Sequence, residues 1–468
     1  MTLKKHLMAF FIVIFLAGMA CAFPGFGGDV ILTEDPSMVA TSVVATITAM
    51  AGEPTATPVP EGPPPTDVPE EPADPPTEAP LEASPVPPEA DAALRVVYVD
   101  GGNVWLWTES GGNVQLTNGQ PARDVRISDD GQVIAFTVGS SVDMHESVWA
   151  VNGDGSNMRQ VVSAEQLDAM STVADAVSVN THQYEFVPGT HTLAFNTKPL
   201  FEGPGLMVQD DLRLVDLNTD TLTTLLAAGQ GGMFYYSPDG GQIALVTPTT
   251  ISLINADGSN RRDGVLSYAN VITYSEYQYY AVPVWAADGS YLRVVIPSPD
   301  MLADDASITI WQLPVNGSPA TSLTTYPALS PLFFNGTSLS PDLNKVIYYQ
   351  RRGDPADNLF DLRVAQLDTG ADDLYVTLTQ MNFQGWAPSS QLFLYREDGE
   401  MMRGHVEAMA SPFTDVPNVQ QVKWIDDTHF VFSAGNRGSW QLRISELAHA
   451  STLIASPVGD FLPFAIAP

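Results

Sequence analysis

Residues Tyr235–Pro248 read YYSPDGGQIALVTP: an aromatic pair, a turn, then a short apolar run. Proline presets φ, the Asp239 carboxylate bonds back to the backbone and Gly240 accepts positive φ, so Ser237-Pro238-Asp239-Gly240 reads as a hairpin turn between two strands. The unit recurs along the chain. ISDDGQVIAF begins at Ile127, FVPGTHTLAF at Phe186, YSPDGGQIAL at Tyr236, WAADGSYLRV at Trp285, LSPDLNKVIY at Leu339, WAPSSQLFLY at Trp386 and WIDDTHFVF at Trp424. The steps between these anchors are 59, 50, 49, 54, 47 and 38 residues, a variation that loop insertions into a fixed unit produce.

Each unit continues alike. Apolar segments such as SVWAVNGDGSN, RLVDLNTDT and SLINADGSN end in Asn/Asp/Gly turns suited to tight hairpins, and a short fourth strand such as RQVVS or LTTLL follows. Four antiparallel strands per unit predict an all-β fold of propeller blades, with the large residue before each turn packing between blades. The first segment, Leu94–Thr117, has three strands and no anchor, and the last, DFLPFAIAP, is a lone strand. If the latter supplies the inner strand of the first blade, the ring closes without exposed edges. Eight blades result; seven is the alternative, should the Met-rich unit around Gly399 be irregular.

The pattern large–S-P-D-G-x-x-I-A-F followed by N-x-D-G-S-N resembles the TolB-type, WD40-like propeller repeats of bacterial exported proteins. Ser237-Pro238-Asp239-Gly240 and Asn255–Asn260 match it best, Ser340-Pro341-Asp342 and Ser128–Gly131 closely, and the Val187, Ala387 and Ile425 units loosely. The resemblance covers nearly all of residues 94–468 and implies the fold. It is weak for function, because propellers serve as binding platforms and as enzymes. Nothing resembles the N-terminal domain of TolB itself, so a TolB-like role in envelope complexes is not implied.

Lettering the strands A to D from the centre outward puts A–B and C–D turns on one face and B–C and D–A connections on the other. The long insertions fall in the second class: segments from Gly139, Thr197, Pro297 and Gln350 in B–C connections, and from Ala164 and Ser267 in D–A connections. Binding residues concentrate on such loops over a rigid scaffold. This face is therefore the expected binding surface, with Tyr268, Tyr274, Tyr277, Phe201, Arg351 and Arg352 as its candidate contacts. The tyrosines combine an aromatic body with a hydroxyl suited to protein or sugar contacts, against the plainer possibility that they pack the loop on its own blade.

The sequence carries no G-x-S-x-G, H-E-x-x-H, C-x-x-C or phosphate-cradling glycine loop, so no catalytic residue is assigned. The histidines of the folded region lie in different units, and only His145 and His182 are expected near the loop-rich rim. No cofactor is expected; a metal site of the kind some propeller lyases carry would need more ligands converging near His145 and His182, and Ca²⁺ at the acidic segments near Asp210 and Asp304 is the alternative. A net charge of −34 argues against nucleic acid as a partner, since a phosphate-binding surface needs clustered Lys and Arg.

Residues 1–22 have the layout of an export signal: Lys4 and Lys5 precede LMAFFIVIFLAG, a run too short to span a bilayer. The single cysteine, Cys21, closes GMAC, which resembles a bacterial lipobox; Cys21 would then carry the lipid anchor. The alternative is that Ala20-Cys21-Ala22 is an ordinary cleavage site and the protein is secreted. With no other cysteine, the fold uses no disulfide. Residues 23–52 are a low-structure segment with room for one short helix. Residues 53–93 hold 14 prolines, 10 acidic residues and no Lys or Arg, and are expected to be a disordered spacer. The chain therefore reads as a monomeric propeller at the outer face of a membrane, binding a protein, envelope polymer or glycan. The alternative is a carboxylate-based hydrolase or lyase acting on polysaccharide.

Overall fold

The computed structural model describes residues 94–467 other than 120, 140–143, 203–207, 275–277, 301, 330–336 and 448. The expectations placed on residues 1–93, including Cys21, and on Tyr277 lie outside the described residues.

Eight antiparallel sheets form the eight blades of a β-propeller. The A strands, lining the centre, are Phe464–Ala467 in blade 1, Ala122–Ile127, Ser178–Phe186, Met233–Tyr236 and Val284–Trp285 in blades 2–5, and Phe383–Trp386 and Val419–Trp424 in blades 7 and 8. In blade 6 the A strand is reduced to the bridge between Leu339 and Val346. The Met-rich unit is a regular four-stranded blade, turned between its middle strands at Asp398-Gly399, both at positive φ. Seven blades is thereby excluded.

One register repeats around the ring. Each anchor pairs with the second residue of strand B: Ile127 with Ile134, Phe186 with Leu193, Tyr236 with Ile243, Trp285 with Leu292, Leu339 with Val346, Trp386 with Phe393 and Trp424 with Phe430. The carboxy-terminal strand supplies the eighth position, pairing Ile466 with Val96 and Ala467 with Arg95. Ile466 is thus an anchor that no turn follows, which is why the sequence pattern does not mark it.

The core is eight separate clusters, one in each gap between blades. Every anchor belongs to the cluster shared with the preceding blade. Trp285 of blade 5 packs with Ala244, Val246 and Leu253 of blade 4, and Ile466 with Val431 and Leu442 of blade 8. Strand B is covered on both faces, so it is a continuous apolar run: Val133–Phe136 and Ile243–Val246 are wholly buried.

The Ser-x-Asp turns are closed by their own side chains. Ser237 Oγ donates to Asp239 Oδ1 at 2.5 Å and accepts from the Gln242 amide at 2.9 Å, while the Gly241 amide donates to the same carboxylate at 3.0 Å. Ser128/Asp130 and Ser340/Asp342 repeat the arrangement. The Ser237 hydroxyl and the Gly241 amide hold the Asp239 carboxyl below the usual carboxylate range. These aspartates are turn formers.

Candidate functional site: a loop-rich face and a charged channel

The two faces of the ring are built differently. On the A–B/C–D face no connection is longer than 153–158, 256–261 or 315–320. On the opposite face the connections include 163–177, 201–211, 268–283, 298–306 and 328–338. They gather over blades 2–6; in blades 1, 7 and 8 the B–C connections shrink to 101–102, 398–399 and 437–438.

The described parts of these loops are tied to one another in pairs. Helix α1, Ala164–Asp168, starts on a capping box in which Ser163 Oγ accepts from the Gln166 amide and Gln166 Oε1 accepts from the Ser163 amide. Its Leu167 is fully buried. Asp168 then accepts the Val179 amide at 2.8 Å and faces His145 Nδ1 at 2.9 Å, joining the helix to the B–C connection of blade 2. Gln209 ties 163–177 to 201–211: its Oε1 accepts from the Thr172 amide and hydroxyl, and its Nε2 donates to the Met170 carbonyl and Thr197 Oγ1. The second pair is 268–283 with 298–306. The Ile272 amide donates to the Pro299 carbonyl at 2.8 Å, and the Tyr274 hydroxyl donates to Asp300 Oδ1 at 2.7 Å. Val271, Tyr279 and Ala281 sink the loop into the core between blades 4 and 5. In each pair, the connection entering a blade is fastened to that blade's own B–C loop.

The residues singled out from sequence are spread along this face. Tyr268 is half-buried and donates to the Thr247 carbonyl at 2.8 Å, packing the loop on its own blade. Tyr274 is 49% exposed, in the left-handed region at φ 58. Phe201 is partly buried where 201–211 begins. Arg351 and Arg352 end strand Lys345–Arg352 rather than lying in the loop, which is confined to 353–358. Arg352 Nε donates to Asp361 Oδ1 at 2.6 Å, and the Arg351 guanidinium lies 5.9 Å from the Phe360 ring centre. His182 lies on strand A of blade 3, its pKa pushed down to about 4 by desolvation and by Lys198. Asp211 is fully buried and accepts from the Thr197 amide, the Thr197 hydroxyl and Arg213; Asp304 is exposed. Among the described residues no group of three or more His, Cys, Asp or Glu side chains could hold a metal ion.

The residues that line the central channel are not marked in the sequence. A cavity of about 920 Å³ opens along the A strands of blades 7, 8, 1, 2 and 3. The residue preceding each anchor lines it here: Gly385, Lys423, Ala465, Arg126 and Glu185. Gly385 and Ala465 leave the space that their neighbours' charges face. Arg126 donates to Asp124 Oδ1 at 2.9 Å and to the Tyr184 carbonyl at 3.1 Å, with its guanidinium 4.5 Å from the Tyr184 ring centre. Desolvation raises the pKa of Glu185 and lowers that of Lys423, the latter helped by nearby Arg126. The register that exposed the anchors carries a signal for these positions one residue earlier.

No family model and no curated protein matches the sequence. Among solved structures, the chain is similar to TolB from Acinetobacter baumannii, at 13% identity over 80% of this chain and 83% of that one, with a TM-score of 0.37. It is similar also to an oligogalacturonate lyase in complex with manganese, at 17% identity, 66% and 81% coverage and a TM-score of 0.41. Dipeptidyl peptidase 4 of Porphyromonas gingivalis shares 12% identity over 74% of this chain and 54% of its own length, with a TM-score of 0.49. These are likenesses of architecture; the manganese of the one and the peptidase activity of the other are properties of those proteins.

Proposed function

We propose that this protein is an exported β-propeller, tethered at the outer face of the membrane through Cys21, that holds a protein, envelope polymer or glycan on its loop-rich face. The observation that carries the reading is the gathering of 163–177, 201–211, 268–283 and 298–306 on one face, where they are cross-tied by Gln209 and by the Tyr274–Asp300 pair. Loops held in place by their neighbours lose less conformational entropy when a partner docks. Export and tethering rest on the signal-like residues 1–22 and the Cys21 motif, and the spacer on the acidic, Pro-rich composition of 53–93.

A photo-crosslinking residue at Tyr274, on the loop-rich face, compared with one at exposed Asp257 on the short-turn face, tests the reading in the intact cell. A discrete adduct from position 274 alone is expected. Adducts from position 257 alone, or equally from both, would overturn it. Fatty-acid labelling lost in Cys21→Ser tests the anchor separately.

A further inference from the structure

Three large apolar side chains stand out of the paired connections 268–283 and 298–306: Ile272, Tyr274 and Leu302 are each between 46% and 49% exposed. They converge on one residue. Ile272 forms a parallel bridge with Asp300, and Asp300 Oδ1 accepts from the Tyr274 hydroxyl at 2.7 Å and from the Leu302 amide at 2.9 Å. A single exposed apolar side chain is ordinary on a folded protein, whereas three fixed around one carboxylate make a patch. Val271, Tyr279 and Ala281 root the same loop in the core between blades 4 and 5, so the patch is held outward by a rigid base. Its charge has one sign. Asp304 and Asp305, both exposed, follow Leu302 in the loop, and neither connection contains a Lys or Arg. The Tyr274 hydroxyl and the Leu302 amide hold the Asp300 carboxyl below the usual carboxylate range, so it too stays charged.

We propose that this patch docks a segment of a partner protein in which an aliphatic or aromatic side chain is flanked by Lys or Arg. An anionic polymer or an anionic lipid surface would meet three carboxylates and, from these two loops, no cation. A neutral glycan is held by hydrogen bonds to its hydroxyls, but Ile272 and Leu302 carry no hydrogen-bonding group and the Tyr274 hydroxyl already spends its proton on Asp300. A basic, apolar segment answers both features. Its apolar side chain covers Ile272, Tyr274 and Leu302, and its cations lie among Asp300, Asp304 and Asp305, where they speed encounter and select the partner. This partner chemistry rests on the loop-rich face being the docking face, and it narrows what docks there to one class.

A displayed library of random peptides, panned on the full chain and counter-selected on the Ile272→Ser/Leu302→Ser variant, tests this. Enriched sequences are expected to set Lys or Arg beside an aliphatic or aromatic residue. A synthetic peptide of the leading sequence should bind the parent chain. Leu302→Ser alone, or Asp304→Asn with Asp305→Asn, should weaken it at least fivefold with the melting temperature preserved. Raising sodium chloride from about 50 to about 300 mM should weaken it at least threefold. Leu453→Ser, which removes an equally exposed leucine from the outer strand of blade 8, should change nothing. Enrichment of neutral or acidic sequences, no enrichment at all, or binding that survives the loop substitutions would overturn the partner chemistry. A crosslink from position 274 alongside any of those results would leave the loop-rich face standing and sink only the basic, apolar partner.

Discussion

Trp285 donates its indole N–H to the main-chain carbonyl of Tyr235, 3.0 Å away on the A strand of the preceding blade. Trp386 repeats the contact two blades on, donating to Ser338 at 3.0 Å. In both cases the acceptor is the residue just before the preceding blade's anchor. The anchors therefore fasten blade to blade by a directional bond as well as by packing.

Trp285→Phe keeps most of the buried ring and removes the bond, and should cost about 1–2 kcal/mol. Trp285→Ala also leaves a cavity between blades 4 and 5 and should cost about 3–5 kcal/mol. Urea denaturation followed by circular dichroism measures both. A Phe variant as stable as the parent would show that the indole bond contributes nothing.

Removing Phe464 onward should open the ring. Strand Arg95–Asp100 would lose its partner and present a free edge, Val96–Val99 being buried in the closed ring. Light scattering should report aggregation at concentrations where the intact chain is monodisperse, and the melt should lose cooperativity.

Asp168→Ala removes the acceptor of the Val179 amide and the partner of His145. Amide hydrogen exchange across 163–179 should speed up at least tenfold, while exchange in the strand B runs of distant blades stays unchanged. Uniformly faster exchange would mean that the aspartate supports the whole ring and not this loop.

His182 titrates at about 4 in the folded chain, below the ordinary histidine value, because desolvation and Lys198 oppose its charged form. The unfolded chain takes up this proton first as pH falls, so stability declines as pH drops from about 6.5 toward 4. His182→Gln should remove part of that decline, seen as a smaller difference in urea midpoint between pH 7 and pH 4.5. Direct NMR titration of the ring should place its midpoint near 4.

The repeat was legible because each anchor lies beside a turn whose chemistry is local: Ser237, Asp239 and Gly240 act within a few residues of one another. Six of the seven marked anchors end their A strands, Leu339 forms the bridge that stands for one in blade 6, and the closing strand pairs with Arg95–Tyr98 as expected. The eighth anchor was hidden because Ile466 has no such turn after it. The loop-rich face was legible from insertion length, since strand order alone assigns a connection to a face. The positions of individual contacts were not: Tyr268 turns inward to Thr247, and Arg351 and Arg352 extend a strand. The channel charges escaped notice for a physical reason. Arg126, Glu185 and Lys423 are 59 or more residues from one another in sequence, and only closure of the ring brings their strands around one space.

The pairing of Arg95 with Ala467 gives the ring a polarity. Strand Arg95–Asp100 is the second of its blade, so it starts on the short-turn face and runs toward the loops, and the closing strand ends where it starts. Whatever precedes Leu94 is joined to the short-turn side. The long connections are carried at the far end of the channel, on the face opposite that junction.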